Sequence, residues 1–283
     1  MFRKLINLKD AFRDRQRINI ALSKGAAACY LRNVDISEPE TWEFSGFSQN
    51  GEDGILQVLR NKIRDPNRYF IEIGAADGID NNTAWMAIVE KYNGLMIEGD
   101  PALVFRARRM VENYSLGLEM LRMFVDVDSV QQIKDYAEYS DPDVLSLDID
   151  GIDYYVAEAL FKAGFRPKIF AVEYNSVHGP EKRRVVKYST DFVYTRMHPS
   201  HLYYGASVAA WKFLFEKNGY KFVTVDRNGV NAFFVDPAHF DTSFLDGIRG
   251  TDYRENRMQW TKFRTGHEKQ FELVNQMPFQ EPN

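Results

Sequence analysis

The sequence predicts an α/β fold whose mostly parallel sheet ends in an antiparallel hairpin. Three observations carry this. From about residue 46 to 237, short apolar runs alternate with longer amphipathic stretches. Each run is almost wholly apolar and stops at a carboxylate or a glycine, as strands do when helices cover both of their faces. Near the end, Asn228-Gly229 separates two strand-like runs, and Asn-Gly in that setting signals a hairpin because both residues accept positive φ.

Taken in order, residues 1–45 form a helical N-terminal extension that becomes turn-rich around Ser37-Glu38-Pro39. The first strand is Tyr69 to Ile73 and the second Leu95 to Glu98. A weaker third lies near Met123-Phe124-Val125, followed by Val144 to Ile149 and Ile169 to Glu173. Tyr220 to Val225 and Val230 to Val235 make the hairpin, which brings the sheet to seven strands. The central domain is thus 46–237. Residues 238–283 are polar and charged and form a C-terminal extension, where Trp260, Phe263 and Phe271 offer a contact for a homo-oligomer.

A net charge of −4 excludes a global attraction for nucleic acid. Residues 1–33 differ, with eight Lys and Arg against Asp10 and Asp14, or +6. Such an arm can dock on phosphate or anionic lipid, but a solvated helix face is the commoner explanation of a charge run. Cys29, the single cysteine, reads as a small core residue in a reducing compartment. Lys24 interrupts the one candidate for a signal-peptide core. No apolar run reaches the ~18–20 residues that span a bilayer. A cytoplasmic location follows as the expectation.

The strongest chemical signal is Phe70 to Gly78, in which a strand runs into a glycine-bearing turn. Ligands of open α/β sheets bind at the carboxyl ends of the strands. Here Glu72, Gly74, Ala75, Asp77 and Gly78 are the candidates. The spacing is Gly-x-x-x-Gly, without the central glycine that a pyrophosphate needs. Glu98 follows roughly 20 residues on, where a carboxylate can accept from ribose hydroxyls; it is favoured over Asp100 for its place at the strand end. Asp126 is a candidate for the adenine region. A nicotinamide-binding sheet is normally all parallel. A parallel sheet ending in a hairpin is the layout of Rossmann-like class I methyltransferases, so the cofactor expected is S-adenosylmethionine.

Ser48-Gln49-Asn50-Gly51-Glu52-Asp53-Gly54, the Glu72 to Gly78 loop and Ile97-Glu98-Gly99-Asp100-Pro101 resemble the FkbM-like methyltransferase family. Leu147-Asp148-Ile149-Asp150-Gly151-Ile152-Asp153-Tyr154 and Glu173-Tyr174-Asn175 fit the same group, so the resemblance covers roughly Phe47 to Val235. It implies O-methylation of a sugar, glycan or other small-molecule acceptor. It also implies that Gln49, Glu52 and Asp53 sit near the cofactor. Read from the residues alone, Ser48 caps a helix and Glu52 or Asp53 complements its dipole.

An alcohol is a poor methyl acceptor until its proton has somewhere to go, which calls for a base or a metal. Asp148, Asp150, Asp153, Glu173 and Asn175 lie at the ends of the fourth and fifth strands. Their mutual repulsion needs relief, and oxygen-only ligands suit Mg²⁺ or Mn²⁺. One reading places a divalent cation on Asp150, Glu173 and Asn175. Another has Asp148 and Asp150 bind cofactor or substrate directly, with Asp153 as a helix cap. Asp150, His178 and His201 are the candidate catalytic residues, although a lone histidine is more often structural. Tyr203 and Tyr204 could wall a sugar site, with Trp211, Phe213 and Leu214 on the core face of a helix starting near Ser207. Lys182, Arg183, Arg184 and Lys187 suit either a solvated loop or a phosphorylated acceptor. N-methylation and a non-catalytic role on the same scaffold are the alternatives.

Overall fold

The structure is a computed structural model. It describes the backbone of residues 2–114 and 117–283 and the side chains of 12–109 and 117–283. In chain order the strands are β1 (Tyr69–Ile73), β2 (Asn93–Glu98), β3 (Leu118–Arg122), β4 (Val144–Leu147), β5 (Ile169–Glu173), β6 (Val185–Val186), β7 (Lys221–Val225), β8 (Asn231–Val235) and β9 (Phe279–Gln280). Seven of them form one sheet in the order β3-β2-β1-β4-β5-β8-β7. β1 to β5 are parallel, and β8 runs antiparallel to both of its neighbours. This is the Rossmann-like class I arrangement that the sequence predicts.

The apolar runs work as two-faced strands. Ile71, Leu145, Phe170 and Phe234 point into one layer, with Leu160, Trp211 and Phe215 from the covering helices. Phe70, Val144, Ile169 and Phe233 point into the other, with Ile55, Leu59 and Met86. Adjacent residues therefore serve opposite layers, which explains why the sequence shows continuous apolar runs rather than alternation. Trp211 and Leu214 lie on the core face of helix Val208–Lys217, and Ser207 caps it by accepting from the Ala210 N–H at 3.0 Å. Phe213 is only half-buried and stacks under Arg183.

Two elements differ from the sequence reading. β3 precedes Met123-Phe124-Val125 instead of containing it. As an edge strand bonded only to β2, it tolerates Glu119 and Arg122, so its own sequence looks polar. The hairpin is also not a tight Asn-Gly turn. Gly229 is left-handed (φ 71°) whereas Asn228 is not. The buried Asp226 carboxylate closes the loop instead, accepting from the N–H groups of Asn228 (2.7 Å), Val230 (3.1 Å) and Asn231.

Both extensions pack into the domain. The helix Phe2–Leu31, about 45 Å long at 1.5 Å per residue, buries Ile18 and Ala21 against Phe47, Ile79, Ala84 and Trp85. The Trp85 indole lies against Gly25 and Gly46, with Phe44 edge-on at 5.0 Å. Of the basic residues in this segment, Arg3, Lys4 and Lys9 fall outside the described side chains. Arg17 turns inward to Asp77, and Arg32 to the Trp42 carbonyl. At the other end, Phe240, Phe244 and Leu245 join the core. Tyr174 donates to the Arg254 carbonyl at 2.7 Å, and β9 pairs with β6. Phe271 packs inside this tail, Phe263 is partly buried, and Trp260 is half exposed. Cys29 is exposed, not part of the core, because it lies on the solvent side of the first helix. Among the described residues no helix is long and apolar enough to cross a membrane.

Candidate functional site

The site begins where β1 ends. Gly74 is left-handed (φ 93°), and a Cβ there would overlap the Asp148 carbonyl oxygen. Only glycine lets the ends of β1 and β4 approach so closely. The chain then bends back, with the Gly74 and Ala75 N–H groups both donating to the Ile97 carbonyl at 2.9 Å. Ala76, also at positive φ, presents its N–H to Glu98 Oε2 at 3.0 Å. Glu98 Oε1 accepts from the Asp100 N–H at 2.8 Å, which fixes both carboxylate oxygens at the end of β2.

These residues border a cleft of about 410 Å³. Gly74, Ala76, Ile97, Glu98 and Gly99 line it. Met123, Phe124 and Val125, the run that follows β3, make an apolar wall. Asp148, Ile149 and Asp150 close the inner end. A flat heteroaromatic group would fit the wall, and a diol would fit the carboxylate.

A second chamber of about 390 Å³ adjoins the first and shares Gln49, Gly74, Asp80, Asp148 and Asp150 with it. Its remaining lining is rich in amides and acids, including Asn81, Asn82, Asn231, Glu52, Glu72, Glu173 and Tyr194. Asp148, Asp150 and Glu173 each offer an oxygen, all within 4.8 Å of one another. Burial raises all three carboxyls, and their neighbours' charges raise them further: Asp150 acts on Asp148, Asp148 on Glu173, and Asp153 on Asp150, which is pushed up to about 6. Burial likewise lifts Glu72 to about 8. Tyr194 is raised first by the charge of Asp150 and then by burial. An oxygen-only trio of this kind has the donor chemistry for Mg²⁺ or Mn²⁺. A third groove, of about 310 Å³, runs between the N-terminal helix (Arg17, Ile20, Lys24) and residues 46–49 and opens on the same Gln49 and Asp80.

The expected site residues divide clearly. Gln49, Glu72, Gly74, Glu98, Asp148, Asp150 and Glu173 line one or both chambers. Glu52 borders the second chamber only, holding the Asn231 amide at 2.8 Å.

Others have different tasks. Asp53 faces away and accepts from the N–H groups of Gly46, Phe47 and Ser48, at 2.7 to 3.0 Å, pinning the loop that carries Gln49. Asp77 is held by Arg17 and, at 2.9 Å, by Arg106, so it ties the glycine loop to two helices. Their charges keep its carboxyl below the usual range despite its burial. Ala75 and Gly78 shape that loop without lining the cleft, and Ala76 takes the place expected for Ala75. Asp126 starts the next helix by accepting from the Asp128 and Ser129 N–H groups at 3.0 and 2.9 Å. Asp153 braces the Asp150 turn through the Ile149 and Gly151 N–H groups, both at 2.8 Å.

Three corrections concern chemistry. Asn175 is fully buried, with its amide committed to the carbonyls of Leu202 (2.8 Å) and Tyr204 (3.0 Å) and its oxygen to the Val177 N–H, so Asp148 replaces it in the acidic trio. His178 turns away under the C-terminal segment, between Phe271 and Phe279, where burial lowers it to about 3. His201 is exposed and lines neither chamber; its ring abuts Tyr194. Tyr203 and Tyr204 are core residues bonded to Pro278 and Gln259. Arg184 stacks on Phe271, away from both chambers.

No family profile matches the sequence, and no curated protein matches it. Solved structures are similar to it at low identity. One is an O-methyltransferase from Bacillus cereus in complex with SAH (S-adenosylhomocysteine), 18% identical, TM-score 0.44, covering 77% of this chain and 89% of that one. Another is an SAH-bound methyltransferase from Podospora anserina, 13% identical, TM-score 0.43, covering 64% and 75%. A third is the Methanococcus jannaschii fibrillarin pre-rRNA processing protein, 17% identical, TM-score 0.40, covering 61% and 67%.

Proposed function

We propose that the chain is an S-adenosylmethionine-dependent O-methyltransferase acting on a polyhydroxylated small molecule such as a sugar. The observation that carries this is the pair of contiguous chambers meeting at Gly74, Asp148 and Asp150. One has the carboxylate and apolar wall for an adenosyl group; the other is lined by amides and acids.

In this reading Glu98 accepts from the ribose hydroxyls, and Met123, Phe124 and Val125 cover the adenine. Gln49, Asn82 and the Asn231 side-chain oxygen supply the donors and acceptors that a sugar demands, whereas Asn81 is committed to the Ala75 carbonyl and to the Thr83 and Ala84 N–H groups. With no cation bound, Asp150 takes the acceptor proton, since a carboxyl raised to about 6 is a usable base near neutrality. When bound by Asp148, Asp150 and Glu173, Mg²⁺ or Mn²⁺ would lower the pKa of the acceptor hydroxyl. Cofactor and acceptor bound in adjoining chambers would align the reacting groups and displace water from between them.

Calorimetric titration with S-adenosylhomocysteine, with NAD as control, tests the cofactor assignment. Binding of the first alone is expected. Glu98→Ala should weaken it roughly 10- to 100-fold, the loss of charge-assisted hydrogen bonds. Unchanged affinity in that variant would remove Glu98 from the cofactor, and binding of NAD alone would overturn the reading.

A further inference from the structure

The N-terminal helix meets the domain with one face only. Asp14, Ile18, Ala21 and Gly25 are buried against it. On the outer side Phe12 is 64% exposed, Ile20 57% and Tyr30 88%. Phe12 and Tyr30 share an azimuth, being roughly five turns apart at 3.6 residues per turn, and Ile20 lies within roughly a quarter turn of them. Arg13, Arg15 and Lys24 are exposed on the flanks of this strip. The whole chain carries −4 and residues 1–33 carry +6, which leaves −10 on the rest. On this face Arg15 and Lys24 set positive charge beside the bare apolar side chains, while Arg17 and Arg32 turn inward.

We propose that this helix face docks on an anionic membrane surface. Phe12, Ile20 and Tyr30 enter the boundary between headgroups and acyl chains, and Arg15 and Lys24 pair with acidic headgroups. Charge complementarity selects this occupant. A second copy of the helix would bring two positive faces together. Nucleic acid would satisfy the cations but give Ile20 no apolar environment. Ile20 and Lys24 also border the groove that opens on Gln49 and Asp80, so docking sets the bilayer beside the mouth of the candidate site. The inference rests on this surface and not on the methyl-transfer reading.

Co-sedimentation of the full chain with phosphatidylcholine vesicles, alone or mixed with phosphatidylglycerol, tests it. Binding is expected only to the mixed vesicles and should weaken as salt rises. Phe12→Glu/Ile20→Glu and, separately, Arg15→Glu/Lys24→Glu should each reduce it at least roughly tenfold, with circular dichroism confirming that each variant retains its helix. Four results would overturn the proposal: no binding to either vesicle, equal binding to both, binding unchanged in the folded variants, or a concentration-dependent dimer in sedimentation velocity that the Phe12/Ile20 variant abolishes while vesicle binding persists. Binding to single-stranded RNA that outcompetes the mixed vesicles would also overturn it.

Discussion

Gly74→Ala will cost about 3–5 kcal/mol of stability and, on the proposed function, abolish binding of S-adenosylhomocysteine. Two effects add. The left-handed backbone (φ 93°) disfavours any Cβ, and this Cβ would overlap the Asp148 carbonyl oxygen. That oxygen belongs to a chain locked by the Asp148 N–H bond to the Ile73 carbonyl at 2.9 Å, so it cannot withdraw without opening the sheet. Gly219→Ala is the control. Gly219 is also left-handed (φ 80°) but has nothing within 4 Å of the added atom, so only the backbone cost of about 1 kcal/mol remains. Thermal melts of both variants separate the contributions. If Gly74→Ala melts like Gly219→Ala, the close approach of β1 to β4 is not what the glycine serves.

If Asp150 is the base of the proposed reaction, Asp150→Asn will lower methyl transfer by roughly 10²- to 10⁴-fold, the contribution of a positioned base, while stabilising the protein near neutral pH in the presence of a chelator. Burial and the Asp153 charge raise the Asp150 carboxyl in the folded chain. The folded state therefore holds its proton more tightly than the unfolded state does. The favourable contribution is full at low pH and is lost as pH rises from the ordinary carboxylate range through about 6. Asparagine cannot ionise, so the variant keeps what the natural chain loses, and its advantage in melting temperature should widen over that window. A flat difference between pH 4 and 7 would show that repulsion in the cluster does not govern stability. Mg²⁺ or Mn²⁺ should raise the melting temperature of the natural chain above pH 6 and that of the variant much less.

The layout of the sheet was legible because its central strands are buried on both faces and stop at carboxylates or glycines. The place of Glu98 and Gly74 on the cleft was legible in the same way, since strand ends are where open α/β sheets form their clefts. β3 was not, because an edge strand need not be apolar, and the apolar run beside it serves the cleft instead. Proximity in sequence misled at β5. Glu173 and Asn175 are two residues apart, but the chain leaves the strand between them and Asn175 becomes the cap of a short 3₁₀ turn. The same turn carries His178 to the far side. Asn81 and Asn82 come from a loop and Tyr194 opens the short helix Tyr194–Met197, and the route of both segments to the site depends on packing contacts that no local pattern encodes.

The packing of Trp85 has an evolutionary consequence. Its indole is held between Gly25 of the first helix and Gly46 of the loop before Gln49, and its Nε1–H donates to Glu90 at 3.0 Å. A Cβ at either glycine would strike the ring, at 2.6 Å in the case of Gly46. Three positions far apart in the chain thus form one inherited unit. Among related chains, a side chain at position 25 or 46 should appear only together with a smaller residue at position 85. Where the tryptophan persists, both glycines should persist with it.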